Sequence, residues 1–175
     1  MSMVKVLIID DNPSTVMPVA EALRILDYQV LVCNSVDAAH PFLRSGFVDI
    51  FIIDKSMPGG DLFPDNRDEM KTGRLVYDEI RNVYCFSCIP VIILTNYKDG
   101  YNADYSELTE KDILVRIIDK EAKINEIVSQ IKVLLIASNK VRNNIDTMII
   151  KLFSENMENG KVNWRCEVHS HKVSV

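Results

Sequence analysis

The run from Val48 to Ile53 is rich in β-branched residues, does not alternate between apolar and polar, and stops abruptly at Asp54 before a turn at Met57-Pro58-Gly59. An alternating strand leaves one face to water. A strand that does not alternate must be covered on both faces, which is the condition of a parallel sheet flanked by helices. Such strands deliver functional groups just past their carboxyl ends, in the crevice where strand order reverses. Asp54 falls there. The same pattern recurs along the chain. Met3 to Ile9 ends in Asp10-Asp11, Gln29 to Cys33 is a second short run, Pro90 to Leu94 ends on Thr95, and Ile113 to Ile118 delivers Asp119-Lys120.

Helical spacing separates these runs. Val16, Val19, Ala20, Leu23 and Leu26 follow the first, Val36, Ala39 and Leu43 the second, and Leu75, Val76, Ile80 and Val83 the third. A short helix is expected near Ala103 to Leu108, and a long one from about Ala122. Strand and helix alternating five times predict an α/β fold, a doubly wound five-stranded parallel sheet with helices on both faces and right-handed crossovers. In such a sheet Asp10, Asp11, Asp54, Thr95 and Lys120 share one edge. Locally, Asn12 and Ser35 are placed to cap the first two helices, with Pro13 at the first helical position, and Pro41 predicts a kink or an early stop. Gly60 to Thr72 holds Asp61, Asp65, Asp68 and Glu69 without any period, and reads as an inserted loop beginning just past Asp54.

Composition narrows the class. A chain of 175 residues, 47% hydrophobic, buries one core rather than two, so one domain with an appendage is expected. A net charge of −5 carries no nucleic-acid footprint. The amino terminus has no signal-peptide pattern and no run is long enough to span a bilayer. Four cysteines without secretory context suggest reduced thiols and a cytoplasmic protein. Cys85 and Cys88 lack a second pair to complete a zinc site, and a packing role is expected for them.

Three carboxylates converging on one rim call for a hard divalent cation with oxygen ligands, and Mg²⁺ fits because it is held by one or two carboxylates plus phosphate oxygens. Asp54 is then free to act as a nucleophile. Lys120 supplies a point charge, and the Thr95 hydroxyl a donor, for phosphoryl oxygens. These are the parts of a phosphoryl-transfer site whose product is an aspartyl phosphate.

Ile8-Ile9-Asp10-Asp11, Ile53-Asp54-Lys55-Ser56-Met57-Pro58-Gly59, Leu94-Thr95 and Asp119-Lys120 together resemble the CheY-like receiver domain of two-component response regulators, over roughly residues 3–137. The resemblance implies a flavodoxin-like sheet in the order 2-1-3-4-5. It implies Asp54 as phosphoacceptor, with Asp10, Asp11, Asp54 and the backbone carbonyl of Ser56 as Mg²⁺ ligands. Thr95 and Lys120 would contact the phosphoryl group, and a histidine kinase or phosphotransfer protein would donate it. Some positions depart from that pattern. Glu121 stands where receivers carry a proline after a cis bond, so a trans bond and a shifted loop are expected. Ile117 occupies the aromatic switch position, Asn96 replaces a small residue, and the 60–72 insertion, expected to restrict access or select a kinase, has no counterpart. A receiver-shaped interaction module that needs no phosphate is therefore the alternative. An aspartyl-nucleophile phosphatase is less favoured, since Ser56 stands where its second aspartate belongs, and flavin binding is opposed by the acidic loop after strand one.

Past the receiver, assigned to residues 1–137, the last helix continues. Ile124, Ile127, Ile131, Leu134, Ser138, Val141, Ile145, Met148 and Leu152 keep steps of three and four, a heptad seam. Residues 138–159 are read as a helical extension whose apolar stripe needs a partner, with a weak parallel homodimer through 138–153 favoured over folding back on its own domain. Residues 160–175 form a tail in which Val162, Trp164, Cys166 and Val168 alternate with polar residues, as in a strand.

Overall fold

The computed structural model describes residues 3–96 and 103–158. Its five strands are β1 (Lys5–Ile9), β2 (Gln29–Cys33), β3 (Ile50–Asp54), β4 (Val91–Thr95) and β5 (Val115–Asp119). All pairings are parallel, in the order β2-β1-β3-β4-β5, the expected flavodoxin-like topology. The two parities of the central strands feed two cores. Leu7, Ile9, Phe51, Ile53, Val91 and Ile93 pack under α2 (Val36–Ser45), α3 (Thr72–Asp78) and α4 (Ala103–Lys111). Val6, Ile8, Ile50, Ile52, Ile92 and Leu94 pack under α1 (Pro13–Ile25) and α5 (Ile124–Glu158). Each fully buried aliphatic side chain contributes about 1.5 to 3 kcal/mol, so a strand such as β3, buried at all five positions, resists any slip in register. That register sets the carboxyl ends level, with Ile9 beside Ile53, Asp54 beside Leu94 and Thr95 beside Asp119.

Several local expectations need correction. Asn12 makes no side-chain cap to α1; its carboxamide oxygen instead accepts from the Ser14 hydroxyl. Ser35 does cap α2, accepting from the Ala38 amide at 3.1 Å. Pro41 does not stop α2 early, because Leu43 beyond it is fully buried and keeps the helix turning until Gly46, at φ +65°, ends it. β1 and β5 start two residues later than expected, at Lys5 and Val115. Ile113 is left exposed because the Asp112 carboxylate accepts from the Leu114 amide in a turn ahead of β5. Val83 is exposed as well, since α3 runs on into a π turn over Glu79–Val83 whose wider step rotates it off the core. Cys85 lies in the left-handed region at φ +58° and is exposed, so it does not pack.

The 60–72 segment is more ordered than a loop. The Asp37 carboxylate accepts from the Asp61 and Leu62 amides, each at 3.1 Å, and Leu62 and Phe63 pack on the core beneath α2 and α3. Asp68 then caps a 3-10 turn over Glu69–Lys71, which leads directly into α3 at Thr72.

The long last helix divides into two halves. Ile127, Ile131 and Leu134 are buried against the sheet and α1, and the Ser138 hydroxyl donates to the Cys88 carbonyl at 2.6 Å. Beyond Ser138 the stripe emerges, with Ile145 and Met148 exposed. The helix is described as far as Glu158, and the strand-like tail of 160–175 lies outside the described residues. Among the described residues no helix is long and apolar enough to cross a membrane.

Candidate functional site

At the carboxyl edge of the sheet the chain lifts four side chains toward one point. Asp10 leaves β1 and Asp54 ends β3, and both are buried. Asp10 is held on both oxygens: Oδ1 accepts from the Asn12 amide at 2.9 Å, and Oδ2 accepts from the Thr15 hydroxyl at 3.1 Å. Asp54 Oδ1 accepts from the Ser56 amide at 3.2 Å. Lys120, the residue after β5, enters between them, with Nζ 2.8 Å from Asp10 Oδ2 and 2.7 Å from Asp54 Oδ2. Its backbone is fixed by donation from its amide to the Thr95 carbonyl, and Thr95 is itself buried at the end of β4. Asp11 is exposed, yet ligand atoms of Asp10, Asp11 and Asp54 all lie within 4.8 Å of one another. Over them opens a cleft of about 210 Å³ lined also by Asn12, Thr15, Lys55, Ser56 and Asn96.

The electrostatics follow from burial. Removal from water pushes the Asp54 carboxyl above the usual aspartate range, and the neighbouring Asp10 charge pushes the same way; the hydrogen bond and charge of Lys120 and the Ser56 amide only partly oppose this. Burial alone would lower Lys120, but its hydrogen bonds and ion pairs with Asp10 and Asp54 outweigh that and hold it above the ordinary lysine value. Two buried carboxylates thus share the Lys120 ammonium, with the exposed Asp11 beside them. The donor set is all hard oxygen and carries three carboxylates, so it fits a divalent cation such as Mg²⁺, for which Asp10, Asp11 and Asp54 are the available side-chain ligands.

The residues expected at one edge therefore do come together. Ile117 does not join them. It lies half-buried in β5, opposite Ile93, packed on the α2–α3–α4 core. The Lys120–Glu121 peptide is trans, and the Asp119 carboxylate accepts from the Glu121 amide at 2.8 Å. Sequence reasoning assigned no role to Thr15, Lys55 or Tyr105. Lys55 is buried, and its ammonium lies 4.9 Å from the centre of the Tyr105 ring, which α4 brings in. Thr15 was recoverable, since it lies in the first turn of α1, which starts three residues past Asp10 and turns its hydroxyl back onto that carboxylate. Tyr105 was not, because only the packing of α4 places it.

The sequence model of the response regulator receiver domain matches residues 6–132. The chain belongs to that family. Among solved structures this receiver resembles the CheY-like response regulator receiver domain protein from Methanospirillum hungatei JF-1, at 18% identity and a TM-score of 0.62, covering 79% of this chain and 98% of that one. It also resembles a structure described as adenylate cyclase from Rhodopirellula baltica, at 17% identity and a TM-score of 0.65, over 84% of this chain and 98% of that one. A third is the signal receiver domain of an HD domain-containing protein from Pseudomonas fluorescens Pf-5, at 17% identity and a TM-score of 0.62, over 79% and 99%. At such identities these likenesses establish the fold alone. No curated protein sequence matches the chain.

Proposed function

We propose that this receiver is a phosphorylation-dependent switch of a two-component system, acting in the cytoplasm, with Asp54 as its phosphoacceptor. One observation carries the reading: Asp54 is buried at a cleft floor, within ligand distance of two further carboxylates and tied to Lys120 at 2.7 Å. An Asp54 carboxylate oxygen attacks the phosphorus of a phosphohistidine on a histidine kinase or phosphotransfer protein. The P–N bond breaks, the imidazole nitrogen keeps the electron pair, and an aspartyl phosphate forms. Mg²⁺, held by Asp10, Asp11, Asp54 and the Ser56 carbonyl, would neutralise charge on the phosphoryl oxygens. Lys120 follows the transferred charge as a compact cation, and the Thr95 hydroxyl donates to a phosphoryl oxygen. Asp10, locked by Asn12 and Thr15, keeps Lys120 aimed at the point of transfer. The added charge then biases a protein-interaction surface.

Intact mass after incubation with Mg²⁺ and acetyl phosphate tests this directly. One added phosphoryl group, stable in acid and missing from Asp54→Asn, is the expected outcome. No adduct on the folded, Mg²⁺-binding protein would instead favour the phosphate-independent interaction module, a reading kept open by Ile117 and by Glu121.

A further inference from the structure

We infer that Cys85 and Cys88 form a reversible dithiol–disulfide pair, a redox site at the edge of the sheet opposite Asp54, and that closing the disulfide acts on α5 through the Cys88 carbonyl. The inference does not depend on the phosphoacceptor reading.

The described cysteines differ in what they offer. Cys33 is buried in β2, and burial pushes its thiol up, so it is chemically quiet. Cys85 is exposed and Cys88 half-buried, in the segment that leads from the π turn to β4. That segment turns tightly. The Ser87 amide donates to the Cys85 carbonyl at 2.9 Å, and the Ile89 amide donates to the Phe86 carbonyl at 3.4 Å. A disulfide needs its two α-carbons within about 7 Å, and successive turns of this kind keep the ends of a four-residue segment together. Phe86, between the thiols, is fixed from outside the turn: its amide donates to the Ile80 carbonyl at 3.0 Å, its carbonyl accepts from Arg81 Nη1 at 2.6 Å, and its ring packs on the core. A short loop that is already folded loses little entropy when its ends are joined. Cys85 also holds a left-handed backbone at φ +58°, a costly conformation for a residue with a Cβ and one that packing does not demand of an exposed side chain. Its Sγ has only weak contacts, the nearer being the Val83 carbonyl at 3.9 Å, and Cys88 Sγ lies 3.8 Å from the Ser87 hydroxyl.

The oxidant is a small disulfide such as oxidised glutathione. Cys85, its proton lost to water, attacks one sulfur as a thiolate; the S–S bond breaks and one glutathione leaves as thiolate. Cys88 then loses its proton, attacks the Cys85 sulfur of the mixed disulfide and expels the second glutathione. Two protein thiols give up two electrons and two protons, and one small disulfide becomes two thiols. In a reducing compartment such a bond is transient, as a sensor requires. The Cys88 carbonyl accepts from the Ser138 hydroxyl at 2.6 Å, and Ser138 is buried where α5 leaves the core. Drawing Cys88 toward Cys85 turns that carbonyl away and leaves a buried hydroxyl without its acceptor, which loosens the helix at the root of its extension.

Trypsin releases both cysteines in one peptide, residues 82–98. The full chain is equilibrated with oxidised glutathione, alkylated and mapped by mass. The expected peptide carries no alkyl group and is lighter by the hydrogens of both thiols, and excess reduced glutathione restores two alkylatable cysteines. Amide exchange across residues 134–142 should be about fivefold faster in the oxidised protein. Ser138→Ala should show the faster exchange already when reduced, and in Cys85→Ser the oxidising buffer should leave exchange unchanged. A peptide that takes an alkyl group on each cysteine in the oxidising buffer, that carries glutathione, or that is joined to Cys166 overturns the site. A Cys85–Cys88 disulfide that forms while exchange across 134–142 stays at its reduced rate overturns the link to α5.

Discussion

The Lys120 ammonium divides between two buried carboxylates, and that sharing sets what single substitutions do. Lys120→Met would leave Asp10 and Asp54 buried without compensation, a class of change that costs about 3 to 5 kcal/mol. Thermal unfolding without divalent cation should show a large drop in Tm, and added Mg²⁺ should recover part of it; an unchanged Tm would mean the pair is not buried as described. Asp54→Asn should do the reverse. Because burial raises the Asp54 pKa, its contribution to stability is present below the ordinary aspartate pKa and is lost as pH rises through the folded value. At neutral pH the ionised group is a net cost, so the amide should raise Tm in metal-free buffer and narrow the gain from Mg²⁺. Tyr77 gives a cleaner alkaline signature. Its hydroxyl donates to Asp112 at 3.1 Å, and burial together with the Asp112 charge pushes its pKa up to about 12. A raised folded pKa means stability is fully present below the ordinary tyrosine value of about 10 and is lost between about pH 10 and 12. Denaturation of Tyr77→Phe across that window should show a shallower decline, by about 2 to 3 kcal/mol in total.

At the scale of elements, the inserted segment is held from outside itself. Asp37 accepts from Asp61 and Leu62, and Gly60 between the turns sits at φ +60° with a would-be Cβ only 2.2 Å from Asp37 Oδ2. Asp37→Ala should release the segment at a cost of about 1 to 2 kcal/mol, read as faster amide exchange at Asp61 and Leu62 and faster proteolysis within 60–68. Gly60→Ala should do the same by displacing the carboxylate, whereas protection equal to that of the parent chain in both variants would show that Leu62 and Phe63 hold the segment unaided. This anchoring also explains what sequence could and could not reveal. The strands were legible because unbroken apolar runs such as Ile50–Ile53 admit few other fates, and the site followed because each run ends on its functional residue. The order within 60–72 was hidden because its partner lies 24 residues away on α2. Ser138 falls on the seam by its spacing, but it is buried and bonded to Cys88, a contact across 50 residues that no local period carries.

For the whole molecule, the decisive question is what α5 does after leaving its domain. Up to Ser138 the helix is supported by its own core, and that hydroxyl ties it to the segment ahead of β4. The remaining twenty residues extend about 30 Å. An isolated helix of that length is marginal in water unless a face is buried, and steps of three and four at Val141, Ile145 and Met148 define one narrow enough for a coiled-coil partner. We propose a parallel pairing of two copies through 138–153. The seam is short and Asn143-Asn144 flank it, so the association should be weak and concentration-dependent. Sedimentation equilibrium of the parent chain should show a monomer–dimer balance in the micromolar range, tightened or loosened by phosphorylation if the extension carries the signal. The double variant Ile145→Asp with Met148→Asp should be monomeric at every concentration with its Tm for the receiver core unchanged, because both side chains are already exposed in one copy. A dimer that survives this pair of charges would place the contact on the receiver itself, and a parent chain that stays monomeric would leave the stripe to fold back on its own domain.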